Sequence, residues 1–427
     1  MAKPAREVDI ARQRAENRRH RIELPEDPEV HRIFRESLSD NAANLAPVAW
    51  RCRAHACGQM DVQRLDHAWL APVFRPPSPP LYAPARLTSF ICEAGQPMRE
   101  PFPDISEADL AEVRRMNRNL RWAPRFRAPT PLGRLMIQTM LGAQAILPVG
   151  LHGTRVVTKR ITHNGYAVSL RILRPAQGEV RGVHIDYHGG GWAIGTAAMD
   201  DLINADIVRE TGIAVVSVDY TTLPDIAFLD QITQAHAAAD WVFEHAEAEF
   251  GARDLFIGGQ SAGAHLAACS LIRLRDRRAD FARLKGAVLF FGPYDLSATP
   301  SVRNAPRDTL VLDGPAMMPG IARLLPDRDE AGRRAPDVSP LHADLARLPP
   351  ALFLCGTIDP LLDDSKLMAE RWQAASGNAR LIIVPESPHA FNRLPTRLAA
   401  TTNRWVRDWL VRRLEADAAR EPRQAAE

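Results

Sequence analysis

Apolar positions recur at helical spacing from about residue 106, in the run Ala108-Asp-Leu-Ala-Glu-Val-Arg-Arg-Met, and again over residues 135–146. The period then changes. Residues 156–161 and 166–172 alternate apolar with polar around Asn164-Gly165, a dipeptide that accepts positive φ at both positions and so predicts a β-hairpin. Beyond it, short apolar runs at 182–187, 213–220, 255–258, 287–291, 351–355 and 380–384 read as strands. Helical patterns at 200–210, 226–249, 262–275, 361–375 and 395–414 separate them. Strands and helices in alternation predict an α/β fold, a mostly parallel sheet covered by helices on both faces. The polar stretch 297–350 interrupts the rhythm and is expected to be an excursion that contributes to a lid. No repeat of fixed period is present.

Residues 1–97 read differently. A polar, helix-compatible stretch at 7–38 gives way after Asn44 to irregular text, and Pro72, Pro76, Pro77, Pro79, Pro80 and Pro84 crowd one segment, which favours an extended linker. The expected organisation is a proline-rich extension over 1–97, a helical cap segment over 98–152, and a catalytic domain over 153–427.

The chain of 427 residues carries 46% hydrophobic and 25% charged residues, an ordinary globular composition. Its 54 basic and 51 acidic side chains are scattered, so no basic face of the kind nucleic acid requires is expected, and a small-molecule substrate fits better. Cys52, Cys57, Cys92, Cys269 and Cys355 are odd in number and far apart, which argues for a reducing cytoplasm over a secreted disulfide framework. The N-terminus, with Arg12, Arg14, Arg18 and Arg19, lacks the apolar stretch of a secretory signal. Residues 135–151 form the longest uncharged stretch but contain Gln138, Gln144 and Pro148, short of the ~20 apolar residues that span a bilayer; a buried or lid helix is expected there. Cys52, His55 and Cys57 lack a fourth ligand, and no metal site is expected. A homodimer is compatible with the sequence.

Gly259-Gln-Ser261-Ala-Gly263 is a G-x-S-x-G pentapeptide placed between an apolar strand and a helix-forming run. In that context the glycines let strand and helix pack closely while the serine adopts a strained backbone and projects its hydroxyl above the sheet. Upstream, His188-Gly-Gly-Gly-Trp192 follows a strand, and its unshielded N–H groups suit an oxyanion hole. Gly189 and Gly190, with Ala262, are assigned to it. A phosphate loop is disfavoured, because neither G-K-[ST] nor G-x-G-x-x-G is present. His188 reads as an anchor of its loop.

A serine hydroxyl needs a base, and in hydrolases built on this turn the order is nucleophile, acid, histidine. Of His265, His342 and His389, which follow Ser261, only His389 lies just beyond a strand end. Asp359 likewise follows the 351–355 strand and is the expected carboxylate, with Glu386, close to His389 on its own loop, as the alternative; Asp363 and Asp364 are expected to be solvated or capping. The cap stretch 135–151, with Trp192 and Phe391, is assigned to the apolar wall of the substrate pocket, with core packing as the competing role for the two aromatics.

Together, His188–Trp192, Val218-Asp-Tyr220 with Leu223-Pro224, the Ser261 turn, Gly356-Thr-Ile-Asp359-Pro-Leu and His389-Ala-Phe391 resemble the hormone-sensitive-lipase branch of the α/β-hydrolases. The resemblance spans roughly residues 98–427. It implies an α/β-hydrolase fold with an N-terminal helical cap and a carboxylesterase or lipase activity on short- or medium-chain acyl esters, without cofactor. A lactonase, an amidase and a non-catalytic ligand-binding protein of the same fold are the alternatives. The sequence departs from the pattern at Gln260, where the family usually has an acidic residue, at Ala264, and in Tyr220-Thr-Thr-Leu-Pro224-Asp225.

Overall fold

The computed structural model describes residues 102–126, 130–146 and 150–418. Two helices precede the sheet, α1 (Glu107–Leu120) and α2 (Pro131–Ile146). Ser106 starts α1 with a reciprocal capping box, its hydroxyl accepting from Asp109 N while the Asp109 carboxylate accepts the Ser106 N–H. The expected hairpin follows as β1 (Thr154–His163) and β2 (Tyr166–Pro175). Asn164 and Gly165 both take positive φ, 49° and 82°, the demand of a two-residue turn matched to strand twist.

The alternating region then yields β3 (Gly182–Tyr187), α3 (Asp201–Thr211), β4 (Ile213–Asp219), α4 (Phe228–Phe250), β5 (Leu255–Gln260), α5 (Ala262–Arg277) and β6 (Leu284–Phe290). The excursion contributes no strand to the sheet; it holds the α-helices α6 (Pro300–Arg303), α7 (Gly314–Leu324) and α8 (Glu330–Arg333). After it come β7 (Ala351–Gly356), α9 (Leu362–Ser376), β8 (Ala379–Val384) and α10 (Arg397–Ala418).

All eight strands form one sheet in the order β1-β2-β4-β3-β5-β6-β7-β8. The β1–β2 and β2–β4 pairs are antiparallel, and every pair from β4–β3 to β7–β8 is parallel. The chain steps from β3 outward to β4 and then returns to the other side of β3 as β5. Strand order therefore reverses between β3 and β5, and at such a point the loops beyond the carboxyl ends part to leave a crevice.

Strands β3, β5 and β7 are buried along their whole length, which is why they read as unbroken apolar runs. Alternate residues of the sheet feed two cores. Val216, Ile257 and Phe353 pack with Trp241 and Phe243 of α4, Leu271 of α5 and Trp372 of α9. Val215, Phe256 and Val288 pack on the other side with Val208 of α3 and Trp405 and Trp409 of α10. The first turns of helix α2 expose Leu135 and Met136, at 63% and 66%, while Arg134 donates to Ala193 O and to Thr222 Oγ1. Among the described residues no helix is long and apolar enough to cross a membrane. Residues 1–97, and with them the Cys52, His55 and Cys57 cluster, lie outside the described residues.

Helix α10 approaches the sheet closely at Gly286, where an added Cβ would sit 2.6 Å from the Trp409 ring. Gly286→Ala is therefore expected to lower stability by about 1–3 kcal/mol through overpacking, seen as a fall in chemical-denaturation midpoint at unchanged slope.

Candidate active site

The crevice is built on the turn that joins β5 to α5. Ser261 occupies it with φ 55° and ψ −121°, backbone space that a side-chain-bearing residue enters only when its surroundings compel it. Those surroundings are specific. Ser261 N–H donates to Phe290 O of β6 at 3.0 Å, and Ser261 O accepts from His265 N at 3.2 Å. A Cβ on Gly263 would lie 1.9 Å from Tyr187 O, and one on Gly259 would lie 2.6 Å from the same oxygen. The turn thus presses against the end of β3, and both flanking positions admit only glycine.

Two further strand ends complete a hydrogen-bonded line. The Asp359 carboxylate, beyond β7, accepts Leu361 N–H with one oxygen and faces His389 Nδ1 at 2.9 Å with the other. A buried carboxylate accepts, so Nδ1 carries the proton and Nε2 is left facing Ser261 Oγ, at 3.0 Å. The Asp359 side chain is 0% exposed and that of His389 is 5% exposed. Gly356, at the end of β7, lets the two loops touch, since a Cβ there would fall 1.9 Å from Ser387 O.

The other candidates lie elsewhere. Glu386 turns away from His389: Arg114 of α1 donates to its two oxygens at 2.7 and 2.6 Å, and Asn117 donates to its carbonyl at 2.7 Å. His265 is buried with Nε2 on Val338 O at 2.7 Å, and His342 Nε2 lies 3.2 Å from Asp295. Asp363 accepts Ser301 N–H. Asp364 is not solvated as expected. It is wholly buried, accepting from Tyr294 N, Asp295 N and Thr299 Oγ1, because the start of the excursion wraps back over α9.

The loop after β3 runs beside Ser261. A Cβ on Gly189 would be 3.6 Å from Ser261 Cβ, and Gly190, Gly191 and Trp192 take φ of 117°, 56° and 61°. Ala262 is the first residue of α5, where N–H groups have no acceptor within the helix. Gly189 and Ala262 thus lie beside the serine, and Gly190 is the residue that follows Gly189 in the same loop. His188 is an anchor: its ring stacks on Tyr220 at 4.1 Å, its Nδ1 meets Gly189 O at 2.7 Å, and Tyr220 Oη donates to His188 O at 2.8 Å. Burial pushes its pKa down, so the ring stays neutral.

Trp192 and Phe391 are buried and pack into the core, the competing role named for them. Trp192 is edge-on to Phe228 and to His265, and Phe391 packs on Phe290 and Phe291 while Phe291 lies 4.6 Å from the His389 ring. The aromatic ring that does lie over the glycine loop is Phe126, which an added Gly191 Cβ would meet at 2.8 Å. Phe126 N donates to Val311 O and Asp313 N donates to Phe126 O, tying the N-terminal segment to the excursion. Nothing in the local sequence around Phe126 signals this.

Gln260, conspicuous in the sequence as a departure, also has a structural partner set. Its Nε2 donates to Asp200 Oδ1 at 2.8 Å, and its Oε1 accepts from Asn392 Nδ2 at 3.1 Å and Arg393 Nε at 3.2 Å. Asp200 and Arg393 also pair with each other.

A family model of the α/β-hydrolase fold matches residues 184–393. Among solved structures, the chain is similar to a hyperthermophilic esterase from the archaeon Pyrobaculum calidifontis, at 25% identity and a TM-score of 0.61 over 72% of this chain and 98% of that one. It is also similar to an esterase of the bacterial hormone-sensitive lipase family, at 26% identity and a TM-score of 0.58 over 73% of this chain and 100% of that one. A thermostable esterase from Pseudomonas putida matches at 27% identity with a TM-score of 0.55, over 71% of this chain and 96% of that one.

The contact between Gly263 and Tyr187 O gives a direct test of the turn. Gly263→Ala must move the serine by about 1 Å, and is expected to cost about 100-fold or more in turnover of a chromogenic ester while far-ultraviolet circular dichroism is retained.

Proposed function

The chain being an α/β-hydrolase of the carboxylesterase and lipase type, we propose that it cleaves carboxylic esters of short or medium acyl chains through an acyl-enzyme on Ser261. The observation that carries this reading is the continuous line from Ser261 Oγ through His389 to the buried Asp359.

In the proposed cycle, Ser261 Oγ attacks the ester carbonyl as His389 Nε2 takes its proton. The carbonyl oxygen becomes an oxyanion and is met by the N–H groups of Gly189, Gly190 and Ala262. The tetrahedral centre collapses, the C–O bond to the alcohol breaks, and the imidazolium returns the proton to the leaving alkoxide. Water, deprotonated by the same nitrogen, then attacks the acyl-serine and releases the carboxylic acid. Asp359 holds the Nδ1–H tautomer and stabilises the transient cation. Every step uses side chains and backbone of this chain, and no cofactor is called for.

We assign α1, α2 and the excursion between β6 and β7 to a cap over this site. Support comes from the Phe126 pairing with the excursion, the Phe126 ring over Gly191, and the hold of Arg134 on Ala193 O. The two described cysteines, Cys269 and Cys355, are buried and unpaired, in keeping with a cytoplasmic setting.

Hydrolysis of p-nitrophenyl esters from two to twelve acyl carbons tests the reading and sizes the pocket. Ser261→Ala is expected to lose both turnover and labelling by a fluorophosphonate. Asp359→Asn, which leaves the geometry but frees the tautomer, is expected to lower kcat by about 10⁴. A folded native protein that neither turns over nor labels would reject the proposal.

A further inference from the structure

Gln260 precedes the proposed nucleophile and yet faces into the protein, 6% exposed, at the meeting of three loops. Asp200 ends the short turn Ala197–Asp200, which follows the glycine loop and leads into α3. Asn392 and Arg393 belong to the turn Phe391–Arg393 that follows His389. One side-chain amide therefore binds the segment behind the oxyanion loop, the nucleophile turn and the base loop to one another.

An amide can do this at that position and an ionised carboxylate cannot. The bond to Asp200 requires a donor, because a carboxylate offers none, whereas the bonds from Asn392 and Arg393 require an acceptor. Asp200 in turn cannot be released to water. Its side chain is 0% exposed, and its Oδ2 has no hydrogen-bond partner among the described residues, so Oδ1 takes both the Gln260 amide and the Arg393 guanidinium. Replacing Gln260 by an isosteric carboxylate would set two buried acceptors about 2.8 Å apart where one donor–acceptor bond now stands.

We propose that Gln260 and Asp200 form an exchangeable donor–acceptor pair that positions His389 and the glycine loop relative to Ser261. Gln260 is then a positioning residue for ester hydrolysis, and this inference rests on the function proposed above. The choice between amide and carboxylate at residue 260 follows from its partner at 200: beside an ionised aspartate an amide serves, and beside an asparagine a glutamate serves.

The test compares native chain, Gln260→Glu, Gln260→Met, Asp200→Asn and the double variant Gln260→Glu with Asp200→Asn, with Ser261→Ala in parallel. Gln260→Glu is expected to lower kcat by about 100-fold with KM moved less than about threefold, the split expected of misplaced catalytic groups and an intact substrate pocket. In the double variant the amide introduced at position 200 donates to the carboxylate introduced at position 260, and Arg393, whose Nη2 loses Asp200 Oδ1 as acceptor, turns Nη2 to the same carboxylate that its Nε already contacts. That carboxylate still accepts from Asn392 and Arg393, and the net charge of the cluster is restored. Recovery of about tenfold or more in kcat over Gln260→Glu is expected. Gln260→Met removes the bonds without adding charge and serves if the glutamate variant does not fold; its kcat is expected to fall about tenfold or more.

Native-like kcat in either single variant at position 260, or a double variant no better than Gln260→Glu, would overturn the pairing while leaving Ser261 chemistry intact. Native protein without Ser261-dependent ester turnover would instead reject the underlying function. The two failures are therefore distinguishable.

Discussion

The contact of the Ser261 turn with the last carbonyl of β3 is the constraint on which the remainder of the site depends. Gly259 and Gly263 press on Tyr187 O, and this closeness brings the glycine loop, which begins at the next residue, beside the serine. The same pressure holds Ser261 in backbone space that costs on the order of 1–3 kcal/mol. That strain persists because the turn is over-determined, by the hydrogen bond from Ser261 N to Phe290 O, by α5 beginning at once at Ala262, and by the buried strands on either side. Strand-order reversal between β3 and β5 supplies the opening above it.

Electrostatics then separates one histidine from its neighbours. His184, His236 and His265 are buried, and burial pushes each down to about 4, so they pack as neutral rings. His389 is equally buried but sits on Asp359, which supplies the counter-charge a transient imidazolium needs. The same low-dielectric surroundings raise the carboxyl of Asp186, with Asp200 adding to the effect, and lift that of Asp364 to about 7. These buried carboxyl groups are held by donors from other elements, Asn204 and Ser217 on Asp186 and Tyr294, Asp295 and Thr299 on Asp364.

Helix α1 reaches the base loop through the Arg114–Glu386 pair, whose side chains are 44% and 35% exposed. A pair so accessible is screened by water and contributes little, so the hold of α1 on the domain rests more on Val113, buried in the same core as Trp405 and Leu398 of α10. The excursion is tied in a comparable way, through Asp364 at its start and Phe126 near its middle.

By itself the sequence determined what depends on local backbone chemistry and period. The strands and helices of the sheet, the Asn164-Gly165 turn, the glycine-flanked serine and the strand-end positions of Asp359 and His389 were legible, because each is written in neighbouring residues. Tertiary structure alone decided the partners. Whether Glu386 or Asp359 faces His389, whether Asp364 is wet or buried, which way Trp192 turns, and which ring covers Gly191 all depend on segments that meet only after the sheet has formed. Gln260 shows the boundary between the two: its departure from the resembled pattern was visible at once, but its reason lay in Asp200 and Arg393, sixty residues before it and more than a hundred after. Hydrogen-bond complementarity between distant side chains leaves no local periodic trace, so only the folded chain reveals it.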